Sequence, residues 1–584
     1  MIFDRTFHPD EANQAFTVGK LLETGQYVYR PEDHHGPTLY YAAAALQKAH
    51  GHNSTATLDG TLLRCTPLLF AILTLVFGFL ALRKLLSFNG SAGRLAPPNG
   101  LKGPNTLKAP NALKALCFVL LLGTSPIFVF FATDFIQEML LACFTMMMFW
   151  AGVGYVCPGG KWKPGTWALL FGIAAGLAFA TKETALLSFA AAFLAFASLK
   201  VAARNSSSSR TSSISSNLKN LEISCDSRSH IILALAGFLL TSILFYSSFC
   251  SNWQGVYNAF VAAPLAYIHR AAGSAASTGA NWHVHPWWQY FKWLFAGIDN
   301  LTLSLYVAAG LLLGALVFLR KLELRVFLPA CRKTAFAFTT VYALILLALY
   351  AVIPYKTPWC ALQMHIPLLL TATLGILNYY EAAREIGLLS YPSLFVLRRH
   401  YHAIPRWLAH AISVIAYLML VLMLAGSNII LSSHIFHDPD SRDIPYNYAA
   451  ASPEVKQLAA TVAAAMEQAS SDIRHPSSDN SPTPSPQTSQ TSQTPPSAFI
   501  AVALPPADTW PFPWYNRPYE PQTGYWTSFD DLKQLAAANI KPTVVIVPME
   551  EGHLVQPLFP HLKNTKRFYM RPGVRVRVFW EDSD

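Results

Sequence analysis

Two adjacent carboxylic acids near the start of the chain, Asp10 and Glu11, are its first candidates for acid–base chemistry. They follow His8-Pro9 and lie in a polar, His-rich stretch, residues 1–60, that precedes the first long apolar segment. A carboxylate at a membrane surface can act as a general base that removes the proton of an acceptor hydroxyl. Acids at the start of a helix are also favoured by the helix dipole alone, and the sequence leaves both interpretations open.

Two histidines and a set of isolated cations are candidates for binding a substrate. His34 and His35 follow the acid pair, and Lys182 and Lys356 lie in short turns between apolar segments. A cation at such a turn can hold a lipid phosphate, although it can equally be an ordinary interfacial anchor. If the fold brings four cationic side chains together, we expect them to form a phosphate-binding site, here called the cation cradle. They are Arg64, Lys182, Arg270 and Lys356.

Other polar residues have less specific patterns. Asp134 and Glu138 flank a turn, where they either bind substrate or are solvated loop acids. His283 and His285 have the spacing of strand ligands, but no third ligand is near in sequence, so no metal site is predicted. The aromatic run at residues 510–515 favours packing over sugar stacking.

The elements that must position these residues are mostly membrane spans. The chain is 53% hydrophobic and 13% charged, whereas a soluble protein carries about 25% charged residues. A spanning helix needs about 20 mostly apolar residues. Ten segments approach this length: 65–86, 115–131, 137–156, 166–181, 184–202, 230–250, 301–320, 335–353, 359–379 and 408–431.

The basic residues predict which side of the membrane each loop occupies. The net charge is +11, and its excess lies in connections 83–114, 320–334 and 380–407, which should therefore be cytoplasmic. This distribution indicates topology and gives no support for nucleic-acid binding. Residues 1–60 and the chain after 433 should then lie outside. Because no signal peptide precedes residues 1–60, we expect a further span upstream of Met1 in the complete gene product.

Four segments follow from these patterns: an outer loop at 1–60, a bundle of about ten spans at 61–432, a helix and linker at 433–497, and a small domain at 498–584. The outer loop should contain helices at 9–24 and 37–46. Residues 203–229 and 470–497 are predicted to be flexible or disordered. The C-terminal part should contain helices at 452–469 and 529–538 and strands at 498–504, 542–548 and 574–580. The eight cysteines form no disulfide framework.

Five motifs follow one another along the chain: Asp10-Glu11-Ala12, residues 34–41, Phe135-Ile136-Gln137-Glu138, residues 353–359 and residues 510–515. Taken in this order, they resemble motifs of the GT-C membrane glycosyltransferases. The sequence is similar to protein O-mannosyltransferases and lipid A aminoarabinose transferases, and most similar to the subfamily of flippase-activity-associated proteins. The resemblance implies a polyprenyl-phosphate sugar donor bound from the outer leaflet, with Asp10 as the catalytic acid of the first outer loop and Glu11 as its neighbour.

The fold class is therefore predicted to be mainly α, a polytopic helical bundle of the GT-C type with a C-terminal extracytoplasmic α/β domain. The expected function is sugar transfer from a polyprenyl phosphate to a protein or glycan acceptor outside the cytoplasmic membrane. No soluble cofactor is required, and a divalent metal has no supporting motif. Two alternative functions remain: a non-catalytic partner of a lipid-linked-sugar flippase, and a membrane transporter. Besides the lipid donor and the acceptor, the expected partners are a flippase or other proteins of envelope glycosylation. Transporters often contain two repeated halves, which this sequence lacks.

Overall fold

The computed structural model of the chain describes residues 2–31, 35–88, 111–157, 161–206, 225–271, 283–295, 298–319, 330–385, 406–474 apart from 439, 442, 443, 445 and 449, and 498–581. These residues form two compact units. The first unit contains Met1–Gly25, Gln47–Thr61 and Asp438–Asp584, and the second contains Gln26–Leu46 and Leu62–His437. The segment predicted as a single outer loop, 1–60, therefore contributes to both units.

Helices α1 to α8 are, in chain order, Pro9–Thr24, Thr38–Ala49, Gly60–Ser87, Asn111–Thr124, Pro126–Phe131, Glu138–Val156, Pro164–Phe179 and Ala185–Ser206. Helices α9 to α12 are Cys225–Tyr246, Trp253–Tyr257, Ala263–Ala271 and Gln289–Phe295, with a π-helical turn Asn258–Ala262 between α10 and α11. Helices α13 to α16 are Ile298–Leu319, Ala330–Val352, Ala361–Glu385 and Arg406–His437.

Seven helical segments of the described chain are long and apolar enough to cross a membrane. Three shorter apolar helices, Asn111–Thr124, Pro164–Phe179 and Ser304–Ala315, overlap three other segments that the hydropathy pattern predicts as spans. The predicted class, a mainly helical membrane bundle with a small C-terminal sheet, is confirmed. The seven segments are Gly60–Ser87, Glu138–Val156, Ala185–Ala202, Arg228–Tyr246, Arg332–Val352, Pro358–Glu381 and Leu418–His437.

Small residues allow the helices of the second unit to pack closely. A Cβ atom on Gly172 of α7 would lie 1.9 Å from the carbonyl oxygen of Ala234 in α9. A Cβ on Gly310 of α13 would likewise lie 2.4 Å from Ala372 in α15. In a membrane, helices associate through such close van der Waals packing, because lipid provides no hydrophobic driving force.

A buried cluster of charges joins four of these helices at one end. Lys114 of α4 donates to Glu381 of α15 at 2.7 Å, and Arg332 of α14 donates to the other carboxylate oxygen of Glu381. The Arg332 guanidinium also donates to the carbonyl oxygens of Leu85 and Leu86 in the last turn of α3. Arg332 therefore satisfies carbonyl groups that have no intrahelical partner at a helix C-terminus.

The C-terminal part of the first unit is a three-layer α/β domain. Helices α17 to α20 are Glu454–Arg474, Phe512–Asn516, Phe529–Ala537 and Val555–Leu558. The strands β1 to β5 are Ile500–Ala503, Thr523–Trp526, Val544–Pro548, Asn564–Arg571 and Val574–Trp580. Their order in the sheet is β2-β1-β3-β5-β4, with β1 parallel to β2 and β3 and with β5 antiparallel to β3 and β4.

Alternation along the central strands builds two cores. Ile500 and Val502 face a cluster that contains the apolar side of α17, whereas Ala501 and Ala503 face a cluster that contains Phe529 of α19. This follows from the two-residue period of a strand, which places successive side chains on opposite faces.

Two strands, β2 and β4, were not predicted from the sequence. Both are edge strands. β2 has only four residues, and β4 contains Lys566, Arg567 and Arg571. Short length and positive charge are common at sheet edges, where they prevent pairing with other chains, and they remove the apolar alternation that identifies a strand. Helix α17 also extends beyond the predicted 452–469, to Arg474, and predicted linkers 203–229 and 470–497 lie largely outside the described residues.

Substituting Gly172 tests the contact between α7 and α9. We expect G172A to lower the thermal unfolding temperature in detergent, because its new methyl group would meet the Ala234 carbonyl. G152A in α6 is the matched control, since a Cβ there meets no atom within 4 Å. The control should be neutral or more stable, by up to about 1 kcal/mol, because alanine favours a helix over glycine. Equal unfolding temperatures for the two variants would contradict the packing.

Candidate functional site

The predicted site residues are divided between the two units. Asp10 and Glu11 belong to the first unit. His34 lies outside the described residues, and Arg270 lies in α11 but its side chain is not described. The remaining candidates belong to the second unit: His35, Arg64, Glu138, Lys182 and Lys356.

Asp10 occupies the second position of α1, in a helix start that its own sequence determines. Pro9 suits the first helical position, where a missing N–H costs nothing. His8 is the N-cap: its Nδ1 accepts from the Asp10 N–H at 3.1 Å, and its own N–H donates to Glu11 Oε2 at 3.0 Å. This reciprocal capping box fixes the backbone of Asp10. The Asp10 side chain remains 49% exposed, so its carboxylate is accessible.

Glu11 differs from Asp10 in exposure and in hydrogen bonding. Its side chain is fully buried, one oxygen accepts the His8 N–H, and the other lies 3.6 Å from the Arg5 guanidinium. A carboxylate used in this way holds the helix start together. The geometry favours Asp10 over Glu11 as the base.

The first unit holds this helix start from several directions. The Phe7 N–H donates to the Tyr515 hydroxyl at 2.8 Å, and the Phe7 ring stacks on Trp514 with ring centroids 4.5 Å apart. The Thr6 N–H donates to Asp440 Oδ1 at 3.0 Å. The aromatic run 510–515, predicted to pack rather than to stack on sugar, therefore packs against the residues that precede Asp10.

In the second unit, the turn between α7 and α8 contains two adjacent charged residues, Lys182 and Glu183. Each of them pairs with a different residue. Lys182 donates to Glu138 at the start of α6, and both side chains are almost fully buried. Burial alone would lower the pKa of the Lys182 ammonium, but the neighbouring Glu138 carboxylate outweighs burial and raises that pKa above its ordinary value. Lys182 is therefore charged at neutral pH. The interpretation of Glu138 and Asp134 as solvated acids does not hold, since both are buried.

Glu183 connects the same turn to the loop that precedes α2. His35 Nδ1 donates to Glu183 Oε2 at 2.8 Å, and the Tyr29 hydroxyl donates to Glu183 Oε1. Burial would raise the pKa of Glu183, but His35 and these two hydrogen bonds outweigh it and lower the pKa to about 2. Glu183 is therefore ionised throughout the physiological range.

A close backbone approach supports this connection. The Thr38 N–H donates to the Ala180 carbonyl oxygen at 3.2 Å, and the hydroxyls of Thr38 and Thr181 are 2.7 Å apart. A Cβ on Gly36 would lie 2.2 Å from the Ala180 oxygen. Glycine is therefore required in the motif His34-His35-Gly36-Pro37, because any side chain would separate the two loops.

The turn before α15 also approaches the buried Lys182–Glu138 pair. Cys360 lies close enough to Lys182 and Glu138 to interact electrostatically with both. Gln363 Nε2, in the first turn of α15, donates to the Glu138 carbonyl oxygen at 2.8 Å. Lys356 is buried in the same turn, where its ammonium donates to the Ile353 carbonyl oxygen and burial lowers its pKa. The second unit thus brings Lys182, Glu138 and the 360–363 segment together.

The remaining candidates occupy separate places. Arg64 is fully buried in α3. His283 and His285 flank a β-bridge between Val284 and Tyr355, so their spacing positions the 354–356 turn. Among the described residues, no group of three or more His, Cys, Asp or Glu side chains is arranged to hold a metal ion.

Three contributors were not predicted from the sequence: His8 as a helix cap, Tyr29, and Glu183 as the partner of His35. The capping box was detectable, because Pro at the first position and Glu at the third are its signature, although histidine is an unusual cap. Tyr29 gives no local signal, since its partner is 154 positions away.

No family model matches the chain, and no curated protein sequence matches it. Its fold is similar to crystal structures of the aminoarabinose transferase ArnT from Cupriavidus metallidurans. The structure with undecaprenyl phosphate gives a TM-score of 0.54 and the apo structure 0.51, each at 13% identity over 98% of this chain and 94% of that chain. The archaeal oligosaccharyltransferase AglB from Archaeoglobus fulgidus, in complex with an inhibitory peptide and a dolichol-phosphate, gives 0.46 at 10% identity over 94% of this chain and 66% of that chain. ArnT is a GT-C protein, so the likeness confirms the predicted GT-C fold, and the subfamily stays a prediction.

Removing Lys182 tests the buried ion pair. We expect K182M to destabilise the protein by about 3–5 kcal/mol, because Glu138 would be left buried and unpaired. The double variant K182M/E138Q should recover part of this loss, since no unpaired charge remains. K533M is the control, because Lys533 pairs with Asp530 on the exposed surface, where a pair contributes about 0–1 kcal/mol. Thermal unfolding in detergent measures all three, and a double variant less stable than K182M would contradict the pairing.

Proposed function

We propose that this chain is a membrane glycosyltransferase of the GT-C type that moves a sugar from a polyprenyl phosphate to an acceptor at the extracytoplasmic face. The observation that carries the proposal is the contrast between two adjacent acids. Asp10 is accessible on a fixed backbone, whereas Glu11 is buried and engaged in the helix cap. The GT-C fold supports the same function, since ArnT was crystallised with undecaprenyl phosphate.

The proposed reaction is a direct displacement. The Asp10 carboxylate takes the proton of the acceptor hydroxyl, and the acceptor oxygen forms a bond to the anomeric carbon of the sugar. The bond between that carbon and the phosphate oxygen breaks, and the polyprenyl phosphate leaves with the electron pair. Inversion at the anomeric carbon follows from a single displacement. Glu11 maintains the helix start that presents Asp10.

The leaving phosphate requires positive charge in a poorly hydrated place, where a fixed cation is most effective. Lys182 is our first candidate, because it is charged at neutral pH and its ammonium has hydrogens beyond the one given to Glu138. Lys356, Arg64 and Arg270 are further candidates, as are His34 and His35 for the sugar. No soluble cofactor enters this proposal, and a divalent metal has no supporting site among the described residues.

The base is tested by D10N, which keeps the size of the side chain but cannot accept a proton at neutral pH. A general base contributes about 10²–10⁴-fold to a rate, so we expect transfer to fall within that range. Purified protein in lipid nanodiscs would be incubated with a panel of undecaprenyl-phosphate monosaccharides and candidate acceptors. Released undecaprenyl phosphate and the glycosylated acceptor would be measured by mass spectrometry.

Two variants accompany this experiment. D530N, an exposed acid of the α/β domain, should keep the wild-type rate. E11Q should lower stability as well as rate, because Glu11 is buried in the helix cap. Binding of undecaprenyl phosphate alone should be near normal in D10N. Wild-type transfer by D10N would exclude Asp10 as the base and favour the non-catalytic flippase partner.

The proposed face of the membrane is tested by reporter fusions in a bacterial host. We expect a periplasm-specific reporter to be active when fused after residue 584 and inactive within 83–114 or 320–334, because the basic loops remain in the cytoplasm. A reporter at 584 that is active only in the cytoplasm would reverse the orientation and exclude chemistry at the outer face.

A further inference from the structure

The ring of His8 makes two hydrogen bonds in opposite directions. Its Nδ1 lies 3.1 Å from the backbone nitrogen of Asp10, and its Nε2 lies 2.9 Å from the carbonyl oxygen of Tyr448. The ring is largely buried, with 17% of the side chain exposed. All three residues belong to the first unit, so one side chain joins the start of α1 to the chain that follows the last helix of the bundle.

These partners select one tautomer of the neutral ring. The Asp10 N–H is a donor, so Nδ1 must present a lone pair. The Tyr448 carbonyl is an acceptor, so Nε2 must carry the hydrogen. Of the two neutral tautomers, the Nε2–H form is the one that makes both bonds. A cap of serine or asparagine could supply the first bond but is too short to supply the second.

The bond from His8 to Tyr448 is one of several contacts between the residues before α1 and the C-terminal chain. Thr6 bonds to Asp440, and Phe7 bonds to Tyr515 through its backbone. Three consecutive residues before α1 are thus each held by a different part of the C-terminal chain. Among these three residues, His8 also accepts a hydrogen bond from the Asp10 backbone through its side chain.

We propose that His8 is a positioning residue for Asp10, which fixes the Asp10 backbone through Nδ1 and anchors it to the C-terminal chain through Nε2. This inference rests on the proposed role of Asp10 as the base. A base is effective only when it is held close to its target geometry, and a displacement of about 1 Å can reduce a rate by about 10²-fold. His8 Nδ1 also lies 3.8 Å from Asp10 Oδ2, which is beyond hydrogen-bond distance, so we assign His8 to positioning the base and not to taking the proton.

Two substitutions separate the two bonds. In H8N the side-chain oxygen takes the place of Nδ1, and asparagine is a good N-cap, so the bond to Asp10 is kept and the bond to Tyr448 is lost. In H8Q the side-chain amide nitrogen takes the place of Nε2, so the bond to Tyr448 is kept and the cap is lost. H8A loses both. H553N is the control, since His553 is exposed in the α/β domain of the same unit.

The variants would be compared by hydrogen–deuterium exchange and by transfer kinetics in nanodiscs. We expect faster exchange around Tyr448 in H8N, around Asp10 and Glu11 in H8Q, and in both places in H8A. With the undecaprenyl-phosphate sugar that the wild type uses, kcat should fall roughly 10–100-fold in H8N and in H8Q, and further in H8A. The KM for that donor should change less than about twofold, because His8 is not proposed to touch it. Unfolding temperatures identify any variant that is simply misfolded.

The outcomes separate this inference from the proposed function. Wild-type kcat in both H8N and H8Q, while D10N keeps its own defect, would exclude the positioning role and leave Asp10 as the base. An equal fall of kcat and rise of KM would assign His8 to donor binding instead. Equal rates for the wild type and D10N would overturn the proposed function, and the role of His8 with it.

Discussion

Charged groups inside an apolar bundle must find their partners within the protein, and this constraint organises the second unit. An isolated charge at membrane depth is costly, so ionisable residues concentrate where chain elements can neutralise them. Lys182 pairs with Glu138, Glu183 with His35, and Glu381 with both Lys114 and Arg332. Each of these interactions joins different elements of the chain, so the same bonds that neutralise charge also set the relative positions of helices and turns.

In the first unit, contacts with the C-terminal chain fix the helix start that carries the exposed Asp10. The α/β domain has three parallel strands, and in such sheets ligands usually bind beyond the carboxyl ends of the strands, where the connections diverge. Here the connection that follows β1 contains helix α18, whose Trp514 and Tyr515 contact Phe7. A feature that often holds a ligand therefore holds the residues before Asp10. This explains why an aromatic run in a water-exposed domain is largely buried.

The sequence predicts most of the bundle because long apolar runs and basic loops are strong, local signals. The predicted bounds of α1, 9–24, match the observed helix, because Pro9 suits its first position and Gly25 its C-cap. The partners of the candidate residues were not predictable in the same way. His35 and Glu183 are 148 positions apart, and nothing in either local sequence indicates the other. Edge strand β4 was missed because its charged residues interrupt the alternation of apolar and polar residues that identifies a strand. The proposed cation cradle requires four distant side chains to lie close together, which a single sequence does not reveal.

The first unit is assembled from both ends of the chain, and this has a consequence for biosynthesis. The contacts that hold Thr6, Phe7 and His8 join residues 434, 508 and 440 positions apart. At about 5–20 residues per second, the ribosome needs roughly 20–100 s to make the later partner after the earlier one. During that time, the helix that carries Asp10 lacks its C-terminal supports. The helix start that carries Asp10 therefore has its full set of contacts only after the C-terminal domain has folded, so this part of the first unit is completed last.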